Sequence, residues 1–153
     1  MRKISVQAED FDLATELALH RQSAGDLGAV VTFTGLCRSD GGTLQALELE
    51  HFPGMAEEEV GRVVEEAEAR WPLLGLTVIH RFGRIAVGEQ IVLVITASAH
   101  RQAAFEAADF LMDYLKTRAP FWKKEWLKEG ASSGWVEAKS QDDAQAERWQ
   151  HQR

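Results

Sequence analysis

Four cations fall between residues 116 and 124: Lys116, Arg118, Lys123 and Lys124 flank Pro120 and interleave with Phe121 and Trp122. A lysine framed by apolar surface has its charged form disfavoured, which makes it usable as an acid, a base or a covalent amine. Lys116 follows Met112 by four residues, so on a helix it borders the apolar stripe. The competing reading is a helix C-terminal lysine that complements the dipole and lays its stem over aromatics. For Lys116 taken alone, that structural reading is the better one. If residues 121–127 form a strand, Phe121, Lys123 and Glu125 share one face, and Trp122, Lys124 and Trp126 share the other.

A second group is Ser98-Ala99-His100-Arg101. With Ser98 as helix cap, His100 and Arg101 fall in the first turn, where an anion would meet backbone N–H donors, imidazole and guanidinium together. The alternative is a surface Arg101 paired with a carboxylate such as Glu89. A third group is Phe33-Thr34-Gly35-Leu36-Cys37-Arg38, a strand end entering a loop from which Arg38 can reach a ligand. Cys37 invites a nucleophile or persulfide reading, but no base adjoins it, and a lone cysteine is more often a small buried hydrophobe. His51, before Phe52-Pro53-Gly54-Met55, reads as structural.

The five histidines are scattered and the single cysteine has no CxxC partner, so neither a zinc site nor an intrachain disulfide is expected. Phosphate-loop, dinucleotide-binding, HExxH and GxSxG signatures are absent. The 24 acidic against 17 basic residues give a net charge of −7, which disfavours a nonspecific nucleic-acid binder. The N-terminus lacks a signal-like apolar run, and no stretch approaches a membrane helix, so the expectation is a cytoplasmic protein without membrane or nucleic-acid partners.

The elements that must position these groups follow from periodicity. Strands are expected near Ile4–Val6 and at 28–35, 44–51, 76–82 and 90–97, with residues 83–88 as a connection. Helices are expected after Asp10, after Pro53-Gly54 to Trp71, and from Ser98 to about Arg118, where Pro120 disfavours continuation. A hairpin is expected from 121–127 and 135–139. This order predicts an α+β single domain with a mostly antiparallel sheet over residues 1–140, followed by a polar tail at 141–153 in which Trp149 can anchor. Arg101 and Lys116 lie 15 residues apart, about 22 Å along a straight helix. They cannot crowd one small substrate from a single helix, so a composite pocket at a homodimer interface is the expectation.

Taken together, several blocks resemble the MoaE family, the catalytic large subunits of molybdopterin synthase. They are Val31-Thr32-Phe33-Thr34-Gly35, Leu49-Glu50-His51-Phe52-Pro53-Gly54-Met55, Val78-Ile79-His80-Arg81-Phe82-Gly83, Ser98-Ala99-His100-Arg101 and Ala104-Phe105-Glu106-Ala107. The longest is Met112-Asp113-Tyr114-Leu115-Lys116-Thr117-Arg118-Ala119-Pro120-Phe121-Trp122-Lys123, and Trp135-Val136-Glu137-Ala138 with Arg148-Trp149 extends the likeness along nearly the whole chain. The resemblance implies an α/β hammerhead-like fold with a small extra β subdomain. It implies a sulfurtransferase that builds the molybdopterin dithiolene on cyclic pyranopterin monophosphate (precursor Z), with no cofactor of its own. Sulfur would come from the thiocarboxylated Gly-Gly terminus of a MoaD-type small subunit, in a heterotetramer around a central homodimer.

Residue by residue, the resemblance makes Lys116 and Lys123 the catalytic pair. It puts Arg38, His100 and Arg101 against the phosphate and pterin, with Phe33 and Met112 as pocket walls. Lys124 and Glu125 are weaker contact candidates, and Cys37, at a position usually aliphatic, is substrate-adjacent without a needed catalytic role. Lys139 stands where many relatives carry arginine, which keeps charge but loses a bidentate fork. The alternative from the residues alone is a noncatalytic module that grips an anion or docks an acidic peptide.

Overall fold

The computed structural model describes residues 1–23, 25–118, 120–136 and 145–150. The elements run β1 (Arg2–Gln7), α1 (Leu13–Gln22), β2 (Ala29–Leu36), β3 (Leu44–His51), α2 (Met55–Arg70), β4 (Leu73–Arg81), β5 (Gly83–Ala86), β6 (Gln90–Ser98), α3 (Arg101–Thr117), β7 (Phe121–Leu127) and β8 (Ser132–Val136). A 3-10 turn at Arg148–Gln150 follows. The strands form two four-stranded sheets, ordered β1-β4-β6-β2 and β5-β3-β7-β8. Only β1 and β4 pair in parallel; every other ladder is antiparallel.

Alternation along β6 explains the layering of the first sheet. Val92 and Val94 face a core shared with α2 and α3, while Leu93 and Ile95 face Phe11 and Leu13 at the start of α1. Both faces are covered, so the strand reads as a continuous apolar run rather than an alternating one. Helix α2 contributes Val60, Val63, Val64 and Ala67 at helical spacing, and α3 contributes Ala104, Ala108, Phe110, Leu111 and Leu115. Residues 145–150 return over this layer, as Trp149 was expected to do. The Trp149 indole N–H donates to Asp113, Arg148 binds Asp109 and Asp113 at 2.6 and 2.9 Å, and Arg70 donates to the Trp149 carbonyl at 3.0 Å. The rest of the tail, and Lys139 with the far end of the expected hairpin arm, lie outside the described residues.

Four expectations are corrected. Residues 83–88 are not merely a connection: 83–86 form β5, because Ile85 finds a buried slot beside Leu49 and Cys37 and pairs opposite Leu47. That short strand gives the second sheet an edge. Helix α1 is capped by Asp12, whose carboxylate accepts from Thr15 N–H at 3.0 Å, rather than by Asp10. Asp10 instead accepts from Gln90 and the Phe11 N–H. Ser98 does not cap α3; it ends β6 and its hydroxyl donates to the Pro72 carbonyl at 2.9 Å. The strand β8 begins at Ser132, ahead of the expected Trp135.

Candidate active site

Strand register defines two ends of the first sheet. Ala29 and Leu73 pair with Ser98 at one end; Leu36 pairs with Gln90 and His80 with Val92 at the other. Helix α3 follows β6 and runs back along it, so its first residue Arg101 lies at the Ser98 end and Lys116 at the Gln90 end. The helix stops at Thr117, with the Arg118 N–H closing onto the Tyr114 carbonyl at 2.7 Å. Arg118 caps it, lying over the Tyr114 ring and 3.0 Å from Glu66. Its charge is therefore spoken for, while Lys116 remains exposed on the side facing His80.

Strand β7 then enters the second sheet, and the expected facing of its residues holds. Lys123 pairs with Leu49, Phe121 with His51 and Glu125 with Leu47, so these side chains share the inner face. On the outer face Lys124 sits 4.5 Å from the Trp135 ring and 5.9 Å from that of Trp126, whose indole N–H donates to Glu48 at 3.2 Å. Lys124 is thus engaged by aromatics on the opposite side of the sheet from Lys123.

Two electrostatic contacts locate the lysines. Burial is the main force pushing the His80 imidazole down to about 4, and the charges of His51 and Lys116 add to it. Burial likewise pushes the Cys37 thiol up, a backbone hydrogen bond to Leu47 opposes the rise, and the charges of Glu89 and Lys123 act in opposite senses and less strongly. His80 stacks on Phe121 at 3.9 Å and 14°, and Phe121 is two residues before Lys123 on the same face. His80 and Phe121 therefore stack where the two sheets meet, with Lys123 two residues along the same face and Lys116 within electrostatic range of His80.

Cys37 is 1% exposed, packed with Leu49 and Ile85, and its backbone is clamped to Glu89 at 2.9 Å and Gly88 at 2.7 Å. A thiol so buried, with its pKa raised, is held as the neutral form and is a poor nucleophile. The next residue, Arg38, projects into solvent with only Asp40 nearby at 3.8 Å. Phe33 is 40% exposed in mid-β2, and a Cβ on Gly35 would meet both its ring and Val92. Met112 is partly buried against the main core, one turn before Lys116.

His100 and Arg101 are not part of this cluster within one chain. His100 is the N-cap residue of α3, and both side chains are exposed. The expected Glu89 partner is instead 4.0 Å from Arg81. Neither side chain has a partner among the described residues, so both are free at the helix N-terminus. The 15 residues from Arg101 to Lys116 along α3 keep Arg101 about 22 Å from the lysine end.

The residues that sequence reasoning passed over are His51, His80 and Phe121 as a group. Two histidines at strand ends, each inside a matched block, were the available signal. Beside them, a cavity of about 280 Å³ is lined by Met55, Glu58, Glu59, Arg62, Arg118 and Pro120. Among the described residues, no three His, Cys, Asp or Glu side chains gather as metal ligands. None of the helices there is long and apolar enough to cross a membrane.

This architecture recurs in known proteins. The family model described as MoaE protein matches residues 6–118. A molybdopterin synthase catalytic subunit of Mesorhizobium japonicum is 64% identical over 146 residues, covering 95% of this chain and 92% of that one. The solved molybdopterin biosynthesis MoaE protein of Burkholderia ambifaria superposes with a TM-score of 0.83 at 44% identity, over 98% and 99% of the two chains. A molybdopterin synthase structure from Staphylococcus aureus matches with a TM-score of 0.77 at 27% identity, over 86% and 95%. With matches spanning nearly the whole length of both partners, and with its two-sheet fold shared, this chain belongs to the MoaE family.

Proposed function

We propose that this chain is the catalytic subunit of a molybdopterin synthase, acting in the cytoplasm. It would transfer sulfur from the thiocarboxylated terminus of a MoaD-type small subunit to cyclic pyranopterin monophosphate, forming the dithiolene. The observation that carries the reading is the pairing of Lys116 near the end of α3 with Lys123 on β7, two residues along the same face from the Phe121 that stacks on His80.

The chemistry asks for positive charge that is placed before the reaction begins. Once the thiocarboxylate sulfur has bonded to the pterin, water adds to the resulting thioester carbonyl and negative charge develops on its oxygen, which a fixed ammonium stabilises without reorganisation. Collapse leaves sulfur on the pterin and the tail as a carboxylate. Lys123, partly buried against Leu49 and Cys37, suits that role; Lys116, more exposed, suits holding the incoming carboxyl group and moving a proton as the cyclic phosphate opens. Arg38 is free to take the phosphate at the same end. His100 and Arg101 would complete the anion site from a second copy, because the length of α3 keeps them from their own chain's lysines. Phe33 and Met112 line the route between these ends, and Lys124 and Glu125 are contacts for the entering tail. The working assembly is then a homodimer carrying one small subunit at each end.

The test is reconstitution: purified chain, precursor Z and thiocarboxylated small subunit, read by molybdopterin formation. Product that depends on all three supports the reading; none, with each reagent verified, overturns it. A docking module without catalysis would instead bind the tail and make no product.

A further inference from the structure

Two histidines that the sulfur-transfer scheme leaves idle pack on Phe121, two residues before Lys123. His80, near the end of β4, lies on the face of the first sheet that packs against α2 and α3, alternating with Leu76 and Val78. Its Nδ1–H donates to the Arg81 carbonyl at 2.9 Å, which fixes the tautomer and the ring plane. The ring lies parallel to Phe121, at 3.9 Å. His51 ends β3, with its ring 4.4 Å from Phe82 and 5.9 Å from Phe121. Phe121 therefore touches an imidazole from each sheet.

No backbone ladder joins the two sheets; every strand pairs within its own. Their relative placement near the lysines rests on side-chain packing and on two short passages, Phe82 between β4 and β5 and the turn from α3 into β7. Phe121 opens β7 directly after Pro120, and Lys123 follows on the same face. A shift of Phe121 is passed to Lys123 along only two residues of strand, about 7 Å.

We propose that His80 is a positioning residue: by stacking on Phe121 it ties the start of β7 to the first sheet and so sets Lys123 relative to Lys116. The proposal rests on the function given above and adds to it a residue that touches no reactant. A neutral ring suits the task, since it stacks without placing a third positive charge near the two ammonium groups. The burial and neighbouring charges that disfavour His80 protonation keep it so. Displacing a catalytic group by about 1 Å can cost roughly 10²-fold in rate, which sets the scale expected.

The experiment compares wild type, His80→Ala and His80→Phe in two readouts. In the reconstituted reaction, His80→Ala is expected to lower kcat roughly 10- to 100-fold with KM for the small subunit within about threefold, and His80→Phe to stay within about threefold of wild type in both. Separately, with lysines reductively ¹³C-methylated, the Lys123 resonance is expected to move in His80→Ala and return in His80→Phe, while that of the exposed Lys128 stays still. His80→Leu replaces the alanine variant if that one does not fold. A phenylalanine variant as impaired as the alanine variant, or a Lys123 resonance indifferent to all substitutions, overturns the proposal. The resonance comparison needs no turnover, so it decides the positioning role even if reconstitution with wild type fails and the functional reading falls.

Discussion

Replacing Lys123 by methionine isolates charge from packing. Methionine keeps an unbranched stem of similar length, so the wall shared with Leu49 and Cys37 is retained while the ammonium and its donors are lost. Two unit charges 4 Å apart interact by about 4 kcal/mol at an effective dielectric of ~20. A positioned oxyanion donor is worth about 2.7–4 kcal/mol. Lys123 is only partly buried, so the lower part of that range applies: about 3 kcal/mol, or roughly 10²-fold in kcat. Single-turnover molybdopterin formation with pre-loaded small subunit gives the rate, and small-subunit affinity should change far less. A variant within threefold of the wild-type rate would refute the oxyanion role.

Three further outcomes follow from the same structure. His80 titrates at about 4 when folded and near 6.5 when unfolded, so the unfolded chain binds its proton first; stability should fall as pH drops from about 6.5 to 4, by up to about 3 kcal/mol. His20, also lowered chiefly by burial, adds in the same direction, so His80→Phe should flatten only part of the slope in urea melts across that range. Trp149→Ala removes a buried ring packed on Trp71 and Phe110 and should cost about 3–5 kcal/mol, lowering Tm by roughly 10 °C with kcat per folded molecule unchanged. Cys37→Ala should keep kcat within about twofold while costing roughly 1–2 kcal/mol in chemical denaturation, because the thiol fills space and performs no step.

The parts legible in the sequence were those with a strong local signal. Val60, Val63, Val64 and Ala67 announce the buried face of α2, and Pro120 ends α3 within a residue or two of where Lys116 must sit. The alternation in residues 121–126 correctly separated Lys123 from Lys124, since strand facing is a property of backbone geometry. What escaped depends on tertiary partners. Ser98 has the residue type of a helix cap, but the Pro72 carbonyl claims its hydroxyl and the strand runs on through it. Residues 83–86 are too short to read as a strand until Leu47 is opposite Ile85. The contact of His80 with Phe121 joins residues 41 apart in sequence, on different sheets, and no local pattern encodes it. The separation of Arg101 from Lys116, by contrast, was available from arithmetic alone, because an uninterrupted helix fixes length.

That separation makes the shared pocket the claim on which the account stands, and subunit complementation tests it. Lys123→Met and Arg101→Ala chains, each inactive alone, are unfolded, mixed in equal amounts and refolded with the small subunit and precursor Z. Half of the dimers are then mixed, and each mixed dimer carries one site with both groups intact, so recovery of about a quarter of wild-type activity is expected. Activity that stays at the level of the separate variants would contradict a pocket built from two chains.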